Sequence, residues 1–279
     1  MTSSLMTKTK LAILAAALAL TGIAADVTPA QADVMIMPTR IAFKDRDRMK
    51  SLTMANTSEE RATFRLTFYH QTQQPDGSYR PDKADEVQQY DLSKMMQFSP
   101  RQVDLQPRGK QSVRLSVRRP ENLPDGEYRT HLKLERLPPP AQKEPLKKGA
   151  AVALAINVSF SIPVMLRKGV YDAKAKISNF RYIPSPDGNK PAKVNFTLDR
   201  TGKYSTLGNI KIYWTPPGGK ERQVGIRNGV NVFPEVSQRK LDIDLTEKGI
   251  SGGKMRVVYD GADADQGILF DEKSFPVGG

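Results

Sequence analysis

The sequence contains no cysteine, only two histidines and a single tryptophan. The absence of cysteine excludes disulfide bonds, thiol chemistry and cysteine-ligated metal sites. His70 and His131 lie in separate predicted strands without a catalytic motif around them. No phosphate-binding loop or cluster of metal ligands is visible, and Gly218-Gly219 and Gly252-Gly253 are interpreted as turns. We therefore expect a protein that is not an enzyme and that binds no cofactor, no metal and no small-molecule substrate.

Long apolar runs are also scarce, and the longest lies at the start of the chain, at Leu11–Ala25. Two lysines precede it and an Ala30-Gln31-Ala32 site follows it, which is the pattern of a secretion signal. The run is too short for a comfortable spanning helix, although an uncleaved anchor is the alternative. We predict a signal peptide at residues 1–32 and a mature chain of 247 residues, long enough for two domains.

Acidic residues are outnumbered by basic ones, with a formal net charge of +13 that falls to about +12 when the signal is removed. A basic surface suits nucleic acids, anionic membranes or acidic proteins. The lysines and arginines are nevertheless spread over turns and strand faces, without a helix-borne cluster or an aromatic stacking motif. Nucleic-acid binding is therefore not expected.

The most regular pattern in the sequence is the run Val152–Leu166, in which every even position is bulky and apolar. The odd positions are small or polar over most of the run. Such alternation predicts a β-strand with one apolar face. At about 3.3 Å per residue the strand would be roughly 50 Å long, whereas typical strands have about 5–6 residues. It is either a long core strand or a strand whose apolar face is partly lent to another protein.

Shorter alternating segments on both sides of this run predict half-buried strands of antiparallel sheets. In the first half they lie at Val34–Phe43, Lys50–Asn56, Ala62–His70, Met95–Ser99, Gln111–Arg118 and Glu127–Leu137. In the second half they lie at Ala175–Tyr182, Lys193–Asp199, Asn209–Trp214, Lys240–Leu245, Lys254–Tyr259 and Ile268–Pro276. The fold class predicted from them is all-β, with two β-sandwiches in series.

Turn signals divide these strands. Gln71–Asp91 is predicted to be a long exposed excursion that includes a small hairpin, and Arg227-Asn228-Gly229 a turn. The proline-rich, charged segment Pro138–Gly149 is predicted to be a mobile loop before the long strand. Arg167-Lys168-Gly169 is the predicted domain boundary, which gives domains at residues 33–169 and 170–279. His131 is predicted to point away from the apolar face of its strand, into solvent.

In this order, the features resemble the periplasmic pilus-assembly chaperones of the chaperone–usher pathway. The resemblance covers essentially the whole mature chain. Besides the signal peptide and the end of the long strand at Ile162–Arg167, it rests on Thr39-Arg40-Ile41-Ala42-Phe43 and on the segment Leu123–Leu132. It implies a periplasmic protein with two immunoglobulin-like β-sandwich domains in a boomerang arrangement, after a cleaved signal peptide.

The resemblance also implies a function. A chaperone of this kind binds and stabilises pilin subunits by lending them its long strand, and it delivers them to an outer-membrane usher. The client-binding side chains would be Val152, Leu154, Ile156, Val158 and Phe160. Full burial of four such side chains contributes about 6–12 kcal/mol before ordering costs, at about 1.5–3 kcal/mol each.

Family chaperones grip the terminal carboxylate of the client with an arginine on the first strand and a lysine on the long strand. Arg40 matches the arginine, and a guanidinium suits a carboxylate through two charge-assisted hydrogen bonds. The alternative is that Arg40 is an ordinary surface arginine. An ungapped alignment places Pro163 where the lysine is expected. Either Arg167 or Lys168 would then replace it, or Arg40 acts with less help.

The expected partners are therefore pilin subunits and an usher. A free chaperone must also hide its exposed strand, with its mobile loop or as a self-capped homodimer, because bare edges aggregate. The competing interpretation is a secreted structural or adhesive β-sandwich protein without chaperone activity. Such a protein should keep its long strand covered and bind no client.

Overall fold

The computed structural model describes residues 34–44, 46–83, 90–138, 158–186 and 190–278. The predicted signal peptide, most of the Pro138–Gly149 loop and the side chains of Val152, Leu154 and Ile156 lie outside these ranges. The described residues contain no helix that is long and apolar enough to cross a membrane. They form eighteen strands and two single-turn 3-10 helices, which confirms the all-β prediction.

The strands fall into two groups along the chain. The first group is β1 (Val34–Met37), β2 (Ile41–Phe43), β3 (Met49–Asn56), β4 (Ala62–Tyr69), β5 (Gln71–Gln73), β6 (Tyr79–Pro81), β7 (Met96–Ser99), β8 (Gln102–Leu105), β9 (Lys110–Val117), β10 (Gly126–Arg136) and β11 (Ser159–Lys168). The second group is β12 (Lys174–Ile183), β13 (Lys193–Thr201), β14 (Thr206–Thr215), β15 (Arg222–Val232), β16 (Gln238–Asp244), β17 (Lys254–Gly261) and β18 (Leu269–Pro276). The 3-10 turns are Ser93–Met95 and Asp263–Asp265.

The first sandwich packs the sheet β1-β3-β9-β7 against the sheet β2-β11-β10-β4-β8. The segment predicted as one strand at Val34–Phe43 is divided between them: β1 pairs antiparallel with β3, and β2 pairs parallel with β11. Near the start of β10, the hydroxyl of Tyr128 donates to the carbonyl of Pro124 at 2.9 Å. This strand order and this tyrosine corner are features of the immunoglobulin fold.

The second sandwich packs the sheet β12-β13-β16 against the sheet β15-β14-β17-β18. All six strands predicted here are present, but β15 was not predicted, because Arg227-Asn228-Gly229 was interpreted as a turn. It is a β-bulge instead: Gly208 pairs with Val230 and Ile210 with Arg227, so Asn209 faces two residues. Gly229 has a φ of 66°, and its N–H donates to the Asn209 side chain at 3.1 Å. One type of bulge uses a glycine with positive φ within a continuous strand.

The hairpin β5–β6 projects from the first sandwich onto the second. The hairpin is present as predicted, and β6 is exposed throughout, but Gln73 of β5 is only 1% exposed. The Gln73 amide donates to the Asn231 side chain at 2.8 Å, and the backbone N–H of Lys240 donates to the carbonyl of Pro75 at 2.7 Å. Contacts between residues so distant in sequence leave no local pattern, so the sequence alone did not reveal them.

Candidate functional site

The most accessible backbone in the long strand is one edge of β11. Its other edge pairs with β10 along the whole strand, from Ser159 opposite Glu135 to Lys168 opposite Gly126. On the outer edge, β2 covers only Val164–Leu166. Residues 159–163 therefore have no strand partner on that side among the described residues. We call these five residues the open edge; such an edge presents backbone groups that can pair with another chain.

The apolar face of β11 leaves the core gradually. Ile162 is 5% exposed, Phe160 is half-buried against the first core, and Val158 is 43% exposed. The even face therefore belongs to the protein's own core near the middle of β11 and turns outward at its N-terminal end. Binding of a client by Val158 and Phe160 stays a prediction, as it does for the three side chains that precede them outside the described ranges.

Arg40 lies at the end of the open edge. Since Ile41 pairs with Val164, Arg40 is one step before the paired segment, next to Pro163 in register. Its Nη1 atom is buried without a hydrogen-bond partner among the described residues, and the guanidinium carbon lies 5.7 Å from the centre of the Phe233 ring. Burial lowers the pKa of Arg40, and the nearby Tyr79 and Glu127 offset this only in part. Arg40 is half-buried, and a partly desolvated cation without an ion-pair partner is costly, so this is not an ordinary surface arginine.

A cleft of about 470 Å³ opens beside Arg40. Lys44 and Lys50 add positive charge to its wall, whereas Asp263 is the acidic side chain that lines it. The Lys50 ammonium is paired with Asp47 at 3.0 Å. Because cations outnumber acidic groups around the cleft, its charge suits a carboxylate ligand. We call this space the Arg40 cleft.

Arg167, one of the two expected substitutes for the missing lysine, is bound by other groups of this chain. Its Nε donates to Glu127 Oε2 at 3.0 Å, its Nη1 pairs with Asp265, and its Nη2 donates to the Ser205 carbonyl at 3.0 Å. The side chains of Glu127 and Asp265 are each 1% exposed. Burial disfavours the charged form, but the two carboxylates outweigh it and raise the pKa of Arg167. With all three nitrogens engaged, Arg167 lacks the geometry of a client anchor.

Lys168, the other expected substitute, is also engaged. Its ammonium donates to the carbonyl of Leu123 and lies 3.8 Å from an Asp125 oxygen. The expectation that Arg167 or Lys168 replaces the lysine is therefore not supported by their contacts. The cations beside Arg40 come instead from Lys44 and Lys50, on the first sandwich, which sequence alignment to the long strand could not indicate.

Glu127, Arg167 and Asp265 form a buried ion network between the two sandwiches. Glu127 and Arg167 pair across β10 and β11, and Asp265 comes from a 3-10 turn of the second sandwich. Asp265 also accepts from the backbone N–H of Leu207 at 2.9 Å. Breaking such a network by removing one partner typically costs about 3–5 kcal/mol, so it fixes how β11 meets the second sandwich. Sequence analysis did not find it, since no motif links these positions.

His131 lies on the same outward face of β10, and the prediction that it is solvated is wrong. It is 2% exposed, and its ring meets the Tyr79 ring edge-on at a centroid distance of 5.9 Å. Burial, with a smaller contribution from Arg129, lowers the pKa of His131 to about 3. The β5–β6 hairpin and the second sandwich cover this face of β10, so alternation within β10 could not reveal its burial. In the part of the chain that the structure describes, no three acidic or histidine side chains group into a metal site.

Comparison with known proteins gives similarities at the level of whole structures only. No family model matches the sequence, and no curated protein matches it. A YadV chaperone is 13% identical, with 88% of this chain and 100% of that chain covered at a TM-score of 0.42. The Pseudomonas aeruginosa CupB2 chaperone is 13% identical, with coverages of 87% and 98% at 0.44. A Salmonella enterica SafB chaperone, solved with the SafA pilin, is 14% identical, with coverages of 90% and 99% at 0.45. Identities this low, with TM-scores below 0.5, are no basis for assigning a function to this chain.

Proposed function

We propose that this protein is a periplasmic chaperone of the chaperone–usher pathway, which binds pilin subunits by donor-strand complementation and delivers them to an outer-membrane usher. The observation that carries the proposal is an open edge of β11 that ends beside a half-buried arginine, which forms no ion pair among the described residues. Edge and cation together form a binding site for the last strand and terminal carboxylate of another chain. The protein acts by binding and performs no chemistry on its client.

The open edge supplies affinity without sequence specificity. A client strand that adds to residues 159–163 pairs its backbone with groups that β2 leaves uncovered. Val158, at 43% exposure, and the alternating apolar residues that precede it would fill a groove in the client at about 1.5–3 kcal/mol for each buried side chain.

Arg40 fixes the register of the client strand against β11. Backbone pairing alone allows a strand to slip, and a slip of one residue exchanges its two faces. A terminal carboxylate bound to the guanidinium of Arg40 fixes the end of the client strand. Lys44 and Lys50 strengthen the positive potential of the Arg40 cleft, in place of a lysine on the long strand.

The test is recovery of a co-expressed pilin subunit from the periplasm with the full-length chain and its Arg40→Ala variant. The variant should fold and lose at least about thirtyfold in pilin affinity, since removing one partner of a desolvated charge pair costs about 2–5 kcal/mol. Arg114→Ala is the matched control, because Arg114 is exposed on β9 in the other sheet of the same sandwich. Recovery of pilin by Arg40→Ala at the level of the control would contradict the proposal, and a variant that fails to fold would favour a structural role for Arg40.

A further inference from the structure

Phe233 belongs to the second sandwich, but its ring contacts arginines of the first. It directly follows β15 and is fully buried. The guanidinium carbon of Arg129 lies over the ring at 3.7 Å from its centroid, and that of Arg40 lies over it at 5.7 Å. Among the described residues Arg40 forms no ion pair, and the Phe233 ring is the aromatic face of the second sandwich over which its guanidinium lies.

Two elements hold the Phe233 ring in place. Its backbone N–H donates to the side-chain oxygen of Gln73 at 3.0 Å, and Gln73 is itself buried in the β5–β6 hairpin. The Tyr79 ring, also in that hairpin, approaches Phe233 at a centroid distance of 6.4 Å. Because hairpin and second sandwich both contribute, the ring is a rigid support for the arginines that lie over it.

The two arginines differ in a way that points to a ligand. Both have a buried Nη1 atom without a hydrogen-bond partner among the described residues, but Arg129 forms an ion pair with Glu235, whereas Arg40 forms none there. An aromatic face attracts a cation through its quadrupole and occupies none of the N–H donors. A carboxylate at the same place would occupy them. Phe233 therefore holds the guanidinium of Arg40 and leaves its hydrogen bonds available.

We propose that Phe233 is the positioning residue for Arg40: its ring fixes the guanidinium at the Arg40 cleft, with free N–H groups that receive the terminal carboxylate of the client. This inference rests on the proposed chaperone function. The second sandwich then takes part in client recognition without contacting the client, because it supplies the surface against which the anchor is held.

The test compares two forms of one labelled peptide by fluorescence anisotropy on the full-length chain. The peptide has about ten residues, the upper range of ordinary strands, with alternating valine and threonine after N-terminal lysines. One form ends in a free carboxylate and the other in an amide. The wild-type chain should prefer the carboxylate by about thirtyfold or more. Phe233→Leu should lose most of this preference and keep its affinity for the amide, since the open edge is unchanged.

Phe275→Leu is the matched control, because it removes a ring that stacks on Phe180 within the second sandwich, and it should keep the preference. A trifluorinated phenylalanine at position 233 keeps the shape of the ring but weakens its quadrupole, so it should reproduce the loss even if Phe233→Leu does not fold. If both Phe233 variants kept the full preference for the carboxylate peptide, the inference would be overturned and the proposed function would stand. The same conclusion would follow if both variants bound the carboxylate and amide peptides more weakly by an equal factor. A wild-type chain without preference would instead refute the carboxylate anchor itself.

Discussion

A charged substitution at Val158 tests whether this end of the strand is lent to a client or belongs to the protein's own core. Ile162, on the same face, is the matched control. Val158 is 43% exposed and Ile162 is 5% exposed, so the same substitution meets water at one position and the core at the other. Val158→Asp should change the free energy of unfolding by no more than about 0.5 kcal/mol, as is usual at the surface. Ile162→Asp loses about 1.5–3 kcal/mol of apolar burial and also places an unpaired carboxyl in the core, so it should be severely destabilising.

Client binding should respond in the opposite way. In a complex, Val158 would enter the groove of the client, and Val158→Asp would place a carboxylate there without a partner. Pilin recovery should fall sharply for a variant whose stability is close to that of the wild type. The assays are thermal unfolding of the purified monomer and co-purification of a co-expressed pilin. Severe destabilisation of the monomer by Val158→Asp would show that this end of the strand belongs to the protein's own core, and normal pilin recovery would show that Val158 stays outside the complex.

Two further predictions concern the buried groups between the sandwiches. Glu127→Gln should lower the free energy of unfolding by about 3 kcal/mol, because Arg167 loses one of two buried carboxylates; Glu59→Gln, which breaks an exposed pair with Arg108, should cost less than about 1 kcal/mol in the same denaturant titration. Equal effects would show that the network is not desolvated. His131 has a lowered pKa of about 3 when folded, so the unfolded chain binds more protons below about pH 6.5, and stability should fall as pH drops from there toward 3. His131→Gln should remove that contribution to the slope, and an unchanged pH profile would contradict the burial of neutral histidine.

The elements that the sequence predicted are those whose evidence is local. Alternation located eleven strands to within a few residues, as at β4 and β17, because each of those strands buries one face against its own sandwich. The errors arise where a signal has two physical meanings. Asn228-Gly229 is typical of a turn, but a residue with positive φ serves a β-bulge equally well, and the choice depends on a pairing partner distant in sequence.

The candidate site was predicted less completely, since half of it depends on the contact between sandwiches. The position of Arg40 and the gradual exposure along β11 could be expected from the first sandwich alone. The burial of His131, the engagement of Arg167 by Asp265 and the ring under Arg40 could not, because each depends on a residue of the second sandwich or of the β5–β6 hairpin. Alternation assigns faces to a strand, but it does not show which outward face a second domain will cover.

The order of groups along β11 determines which way a client strand must run. Its open edge ends at Pro163, because beyond that point β2 occupies the edge at Val164–Leu166. Pro163 has no N–H to donate, so pairing weakens at this residue even before β2 blocks it. A client strand on this edge must therefore end there, where Arg40 offers donors for a terminal carboxylate. With its C-terminus at Pro163 and its body along residues 159–162, the strand runs parallel to β11, in the same direction as β2. The client thus continues the line of β2 along the sheet, and the anchor lies at the junction between the two.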